Sequence, residues 1–157
     1  MTQPSPYGYQ QPGVMGGGGF TPGLRRTVLD VSPGPAFLAG EEYTPVLNGA
    51  TYAQSKVPAD DDGNRIILEG TLCTKVTDSE DLDFGKYGPY DAAATDGRQV
   101  IDDQAIYNFE ALNLRFGDVI AGGLFSGVVR GARVHPPMPA GQSSAIRQAL
   151  AGRILFQ

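Results

Sequence analysis

The sequence predicts a mainly β protein: a compact β-sandwich or barrel-like domain with one short C-terminal helix and an extended N-terminal arm. First, the 157 residues include 22 Gly and 12 Pro, nearly twice their usual share, which favours turns and short strands over a helical bundle. Second, Arg65–Val76 and Val119–Val134 are rich in β-branched and apolar residues. Third, Gln142–Ala151 alone has helical spacing, with Ser143 or Ser144 as cap and Gly152 as stop.

The first 24 residues are predicted to be a flexible Gly/Pro-rich arm, and residues 25–157 to be the β-rich domain. Residues 1–23 contain eleven Gly or Pro and no charged side chain, so the segment cannot bury enough apolar surface to order by itself. Two interpretations remain open: a disordered tail, or an arm that orders on a partner surface. The side chains available for such binding are Tyr7, Tyr9, Phe20, Arg25 and Arg26.

Turn-forming residues divide the domain into short segments. Asp60–Asn64 is a strong turn signal, and Gly70 divides the strand region that follows it, which suggests a bulge or bend. The segment Ala105–Phe116 fits either a strand or a short helix. Strands are also predicted for three other segments, which are Arg25–Val31, the extended piece Lys86–Tyr90 and the C-terminal Arg153–Gln157.

The composition excludes several classes of protein. One Cys and one His allow neither an intrachain disulfide nor a structural zinc site. The net charge is −5, and the charged side chains are unevenly distributed along the chain. Residues 41–118 carry 16 acidic and 6 basic side chains, whereas residues 119–157 carry four Arg and no acid. An acidic body is not expected to bind nucleic acid. Because no apolar run of about 20 residues and no signal peptide is present, a membrane is not an expected partner. We expect a cytosol-like compartment, or export by a route that needs no such signal.

Candidate catalytic residues are few, and each has a simpler structural interpretation. His135 lies in a proline-rich crossing, and Cys73 lies inside a strand region with Lys75 as its only nearby cation. Asp60–Asp62 lacks the ligand spacing of a calcium loop, and the acidic loop Asp78–Asp83 is expected to be solvated. We therefore predict no enzyme activity, no catalytic residue, no cofactor and no metal site.

The segment Gly70–Leu72 and the segment GKYGPYDAAATDGRQV at residues 85–100 together resemble the head decoration proteins of tailed bacteriophages, the family of the lambda decoration protein. Members of that family run G-T-V/L-L, then a turn, then G-K-Y-x-P-Y-D-x-A-A-x-D-G. The similarity covers roughly residues 56–134. The matching positions of the second segment are Gly85, Lys86, Tyr87, Pro89, Tyr90, Asp91, Ala93, Ala94, Asp96 and Gly97.

The resemblance implies a non-enzymatic protein of the virion, present in the host cytoplasm before assembly and on the outer capsid surface afterwards. Its expected partners are the major capsid protein and two further copies of itself, as a homotrimer that stabilises the expanded shell by clamping neighbouring capsid subunits. Two alternatives stay open: a surface module that binds calcium or carbohydrate, for example a piece of a head fibre, and a small hydrolase with paired carboxylates.

Overall fold

The computed structural model describes residues 35–138 and 144–157. These residues form a mainly β structure, a curled sheet resembling half of a barrel with one short α-helix, which confirms the predicted fold class at that level. The predicted arm and the predicted strand Arg25–Val31 lie outside the described residues. The strands are β1 Leu38–Pro45, β2 Ala50–Tyr52, β3 Ile66–Ile67, β4 Leu72–Lys75, β5 Tyr87–Pro89, β6 Ile106–Asn108, β7 Leu112–Asn113, β8 Val119–Ala121, β9 Gly123–Val129 and β10 Ile154–Phe156.

Among the described residues, eight strands share one sheet, whose path runs β8-β2-β5-β4-β6-β9-β10, with β1 paired to β9. Most pairs are antiparallel, but β5 is parallel to β2 and β10 is parallel to β9. Strands β3 and β7 form a separate two-stranded ladder. The strands at the two ends of the main path, β8 and β10, each have one strand neighbour in the described part of the chain.

The central strands are buried on both faces. Leu72 lies opposite Tyr107 and Cys73 lies opposite Ile106, and all four side chains are buried. Because neighbouring residues of a strand point to opposite faces, Leu72 and Tyr107 join one apolar cluster whereas Cys73 and Ile106 join the other. Each fully buried aliphatic side chain of this kind stabilises the fold by about 1.5–3 kcal/mol. The sheet therefore has a core on each side.

The predicted strand region Arg65–Val76 is split at Gly70, as the sequence indicates. Gly70 has a φ of 72°, a backbone conformation that glycine adopts without a steric penalty. The two halves pair with different partners, because β3 pairs with β7 whereas β4 pairs with β5 and β6. The division thus separates two ladders.

The edge strand β1 is irregular and polar. Its pairing with β9 shifts register twice, and the exposed Glu41 and Glu42 lie in the region between its paired residues. Bulges, charges and an edge proline such as Pro45 protect a strand from pairing with another chain. We therefore expect β1 to resist strand addition.

The C-terminal helix is shorter than predicted. It spans Ala145–Ala149, and the Ser144 hydroxyl caps it by accepting a hydrogen bond from the Arg147 amide at 3.0 Å. Gly152, with a φ of 93°, follows the helix and leads into β10. Leu150 is buried and anchors the segment to the core. A short helix of this kind depends on tertiary packing for its stability.

The remaining segment predictions have clear outcomes. The ambiguous segment Ala105–Phe116 contains the strands β6 and β7, and Val119–Val134 contains β8 and β9, separated by Gly122. The predictions of an extended Lys86–Tyr90 and of a last strand in Arg153–Gln157 are confirmed. In the described ranges, no helix has the length and apolarity needed to cross a bilayer.

Candidate functional site

The segment that resembles decoration proteins, residues 85–100, contributes an interior strand of the sheet. Its strand β5 lies between β2, where Tyr87 is opposite Tyr52, and β4, where Gly88 is opposite Thr74. The Tyr90 amide continues the ladder by donating to the Leu72 carbonyl at 2.9 Å. The segment is therefore part of the scaffold as well as of the surface.

Two glycines of this segment are required by close packing. A Cβ on Gly88 would lie 2.8 Å from Cβ of Lys56 and 2.9 Å from Cδ of Arg98. Gly97 has a φ of 104°, and a Cβ there would lie 2.1 Å from Oγ1 of Thr77. Because any side chain at these positions would displace its neighbours, both glycines let the loop after β5 fold back on the sheet.

Lys56 and Arg98, which pack on Gly88, belong to a group of ion pairs. The Lys56 ammonium lies 2.5 Å from Oδ2 of Asp81 and 3.1 Å from Oδ2 of Asp96. The Arg98 guanidinium contacts Asp96 at 3.0 Å through Nε and donates to the Pro89 carbonyl at 3.0 Å through Nη1. Lys56, Asp96 and Arg98 have side chains only 12–13% exposed. This group, which we call the Lys56 cluster, joins three loops to one end of β5.

A second group of ion pairs surrounds Lys86. Its ammonium lies 2.8 Å from Oδ1 of Asp83 and 2.6 Å from Oδ2 of Asp118. The Ser55 hydroxyl also donates to Asp83, and the Gln54 amide donates to Asp118 at 2.8 Å. We call this group the Lys86 cluster. The prediction that loop Asp78–Asp83 is solvated is wrong at Asp83, which is buried because these donors replace water around its carboxylate.

Both clusters are held in their charged forms. Hydrogen bonds from Lys56 and Lys86 lower the pKa values of Asp81, Asp83 and Asp118 below the usual value. Burial opposes ionisation of Asp96, but hydrogen bonds from Arg98 and Lys56 outweigh it and lower its pKa. The carboxylates raise the pKa of Lys86. These charged groups pair with one another, and their ion pairs hold the loops together.

The remaining side chains of the segment pack or close turns. Tyr87 is half-buried, with its ring centroid 6.3 Å from that of Tyr52, and burial raises its pKa. Tyr90 packs against the core cluster that contains Leu72. Asp91 is exposed, and its carboxylate accepts from the Ala93 amide at 2.9 Å. These contacts fix the conformation of the loop.

The other candidates from the sequence lie apart from this segment or are buried. Cys73 is inaccessible, and burial raises the pKa of its thiol, which disfavours the reactive thiolate. The His135 backbone pairs with Gly70 and Leu72 while its side chain is exposed. Asp60 closes its own turn by accepting from the amides of Asp62 and Asn64.

Within residues 35–138 and 144–157, no set of three or more His, Cys, Asp or Glu side chains is placed to hold a metal ion. The predicted arm residues Tyr7, Tyr9, Phe20, Arg25 and Arg26 lie outside the described residues.

Sequence reasoning missed the two ion-pair clusters. Lys56, Asp81 and Asp118 have no local signature, because their partners are distant in sequence and meet only through the sheet. The signal available in the sequence was the presence of glycine at positions 88 and 97. The structure shows why these positions need glycine, because the loop folds onto neighbouring parts of the chain there.

No protein-family model, curated protein or solved structure matches this chain.

Proposed function

We propose that this protein is a capsid decoration protein of a tailed bacteriophage. In this proposal it binds the outer surface of the assembled, expanded head as a homotrimer and clamps neighbouring major capsid subunits. Its partners are the major capsid protein and copies of itself. It acts without catalysis or a cofactor, and it passes from the host cytoplasm to the virion surface.

The observation that carries the proposal is the resemblance of residues 85–97 to the decoration-protein motif, considered together with the place of these residues in the sheet. Tyr87 and Pro89 lie in β5, and the Asp96 carbonyl accepts hydrogen bonds from the amides of Thr77 and Asp78, just after β4. Position 97 requires glycine, because a Cβ there would clash with the side chain of Thr77. A resemblance concentrated on residues that fix the backbone supports a shared fold, and the function follows from the family by analogy.

The surface of the described residues is also suited to protein binding. Leu82 and Phe116 are 97% and 95% exposed, although solvating such large apolar side chains is unfavourable. The bridge that Lys86 makes from Asp83 to Asp118 holds the turns of these two residues side by side, and exposed apolar side chains on adjoining turns favour an interaction surface. These exposed side chains therefore support a function in protein binding.

A decoration protein stabilises the capsid shell through its binding equilibrium. A protein that binds the expanded lattice and not its dissociated subunits stabilises the lattice by its binding free energy. Repetition over many sites on one shell makes the total effect large even when each contact is modest. The N-terminal arm is proposed to add to each contact by pairing along a capsid strand, with Tyr7, Tyr9 and Phe20 as side-chain anchors and Arg25 and Arg26 near its base.

Co-sedimentation with undecorated, expanded phage heads tests the proposal. We expect the full chain to sediment with expanded heads in saturable, stoichiometric amounts and to raise the temperature at which they release DNA. Unexpanded heads serve as the control lattice and should bind less protein. Absence of binding to expanded heads of the phage that encodes this chain would overturn the proposal.

A deletion of residues 1–23 tests the role of the arm separately. We expect the shortened chain to keep the melting temperature of the full chain, because the described strands and helix lie after this segment, and to bind expanded heads more weakly. The Tyr7→Ala, Tyr9→Ala and Phe20→Ala variants should each lose less binding than the deletion. Unchanged binding by the deletion variant would restrict docking to the domain.

A further inference from the structure

We propose that Asn48 is a site of spontaneous chemical modification, at which the amide nitrogen of Gly49 displaces ammonia from the side chain and leaves aspartate or isoaspartate. The site lies in the turn between β1 and β2, and the proposal does not depend on the proposed function. The evidence is the exposure of Asn48, the hydrogen bonding of Gly49 and the contrast with every other asparagine of the chain.

The turn between β1 and β2 presents the two reacting groups next to each other. Asn48 is exposed, and its φ of 67° is a left-handed conformation that asparagine adopts more readily than most residues. Gly49 follows with a φ of 78° and has no Cβ to obstruct the approach of its amide nitrogen to the Asn48 side chain. The carboxamide and the nitrogen that attacks it are therefore adjacent on a surface turn.

A hydrogen bond within the turn restrains the attacking nitrogen. The Gly49 amide donates to the Val46 carbonyl at 3.2 Å, which is the long end of the usual range. Local opening of a surface turn requires much less free energy than global unfolding. The amide is therefore released by breaking this bond, while the strands on either side of the turn stay paired.

The other three asparagines of the sequence, Asn64, Asn108 and Asn113, lack this arrangement. Each of them precedes a residue with a large side chain, whereas Asn48 precedes glycine. Their carboxamides are also held: Asn113 accepts a backbone amide at 3.0 Å, Asn64 donates to a carboxylate at 3.2 Å, and the buried Asn108 donates to a backbone carbonyl at 2.6 Å. The structure thus favours reaction at Asn48 over the other three.

The reaction needs water as its co-reactant. Hydroxide removes the proton of the Gly49 amide, and the nitrogen attacks Cγ of Asn48. The new nitrogen–carbon bond closes a cyclic imide, the bond from Cγ to the side-chain nitrogen breaks, and water protonates the leaving group, so that ammonia departs and hydroxide is regenerated. A second water then opens the imide. Cleavage at Cγ gives aspartate, whereas cleavage at the backbone carbonyl gives isoaspartate, whose main chain runs through Cβ and Cγ.

The modified turn lies directly before the ladder of β2 with β8. A Cβ at position 49 would lie 3.1 Å from the Ala121 carbonyl oxygen, and Ala50 is opposite Ala121 in the ladder. Isoaspartate adds a backbone atom at this point, whereas aspartate adds only a charge. We therefore expect the isoaspartyl form to loosen the pairing of β2 with β8 and the aspartyl form to leave it intact.

Ageing of the full chain at neutral and alkaline pH, followed by digestion in acid and mass spectrometry, tests the proposal. We expect the peptide that contains Asn48 to show the mass change from amide to acid. Its rate should rise with pH and exceed the combined rate of the other three asparagines. In heavy-oxygen water each product should take up one oxygen atom from the solvent, and an isoaspartyl methyltransferase should methylate the isoaspartyl product.

A synthetic peptide of residues 44–53 gives the rate for the unrestrained turn. We expect the folded chain to react no more than about tenfold more slowly, which is the effect of one backbone hydrogen bond. A folded chain that reacts more slowly than this, or that loses another carboxamide faster than that of Asn48, would overturn the proposal.

Two variants control the assignment to Asn48. Asn48→Gln should abolish the reaction at this position, because a glutamine side chain must close a larger ring. Asn113→Gln is the matched control, since Asn113 is also exposed, and it should release ammonia at the rate of the unmodified chain. Circular dichroism confirms that both variants fold. Equal ammonia release by Asn48→Gln and the unmodified chain would overturn the proposal.

Hydrogen exchange tests the expected effect on the sheet. The isoaspartyl chain, separated by ion exchange, should exchange the amides of β2 and β8 faster than the unmodified chain. Asn48→Asp has the same charge without the additional backbone atom, and it should exchange these amides at the original rate. Equal exchange in the isoaspartyl and unmodified chains would contradict the loosening of the ladder.

Discussion

Lys56 and Asp96 lie 3.1 Å apart, Nζ to Oδ2, although they are distant in the sequence and come from a 3-10 helix and a loop. Gly88 makes this contact possible, because the stem of Lys56 crosses the space that a side chain at position 88 would fill. Both partners are mostly shielded from solvent, so the pair is screened less than a surface ion pair. The ion pair thus ties the loop after β5 to the sheet.

Gly88→Ala is expected to destabilise the protein by about 1–3 kcal/mol, because overpacking forces the stems of Lys56 and Arg98 to move. Thermal unfolding followed by circular dichroism measures the loss. Gly40→Ala is the matched control, since its Cβ would make only ordinary contacts of 3.7 and 3.8 Å with Val128. Equal melting temperatures for the two variants would refute the packing role of Gly88.

Lys56→Met is expected to lower the melting temperature by about 3–6 °C, because Asp81 and Asp96 lose their shared cation while the apolar stem is retained. The control is Lys75→Met, which removes an exposed hydrogen bond to Gln104 and should change the melting temperature little. Equal melting temperatures for the Lys56→Met and Lys75→Met variants would contradict the role assigned to the Lys56 cluster.

The ion-pair clusters predict a loss of stability in acid. The folded-state pKa values of Asp81, Asp83, Asp96 and Asp118 lie below the ordinary 3.8. Since the unfolded chain then binds more protons, the stabilisation is complete above about pH 5 and decreases as the pH falls through the lowered values. Urea midpoints between pH 7 and pH 2.5 measure the effect.

Asp118→Asn should give a shallower dependence of stability on pH over this range, because one of the four carboxylates is removed. Asp62→Asn is the control, since Asp62 is exposed and its carboxylate has no ion pair within the described residues. A pH dependence that both variants share with the unmodified chain would contradict the assignment.

Tyr107→Phe is expected to maintain or raise stability, by up to about 1 kcal/mol. The Tyr107 hydroxyl is buried with no hydrogen-bond partner in the described part of the chain, and burying an unsatisfied hydroxyl is unfavourable. The ring contacts with Phe37 and Phe156 remain in the variant. Chemical denaturation measures the free energy of unfolding of the variant and of the unmodified chain. A clear loss of stability in the variant would show that the hydroxyl has a hydrogen-bond partner.

Cys73 is expected to be unreactive towards a thiol reagent such as dithionitrobenzoate in the native state. Its side chain is inaccessible and burial raises its thiol pKa, so labelling requires unfolding. The labelling rate should therefore rise with urea in parallel with unfolding. Rapid labelling without denaturant would contradict the burial of β4.

The sequence alone determined features that depend on local backbone chemistry. Gly70 lies in the turn between β3 and β4, whose positive φ is readily available to glycine. The sequence also offered Ser143 or Ser144 as the helix cap and Gly152 as its stop, and the structure selects Ser144. The density of turns likewise predicted a mainly β fold.

Only the tertiary structure decided which distant residues meet. Asp83 belongs to a loop that resembles any solvated acidic loop, yet Ser55 and Lys86 surround it once the sheet forms. The parallel pairing of β10 with β9 is likewise a product of strand order. Local sequence fixes conformations over a few residues, whereas strand order and long-range ion pairs depend on the packing of the whole chain.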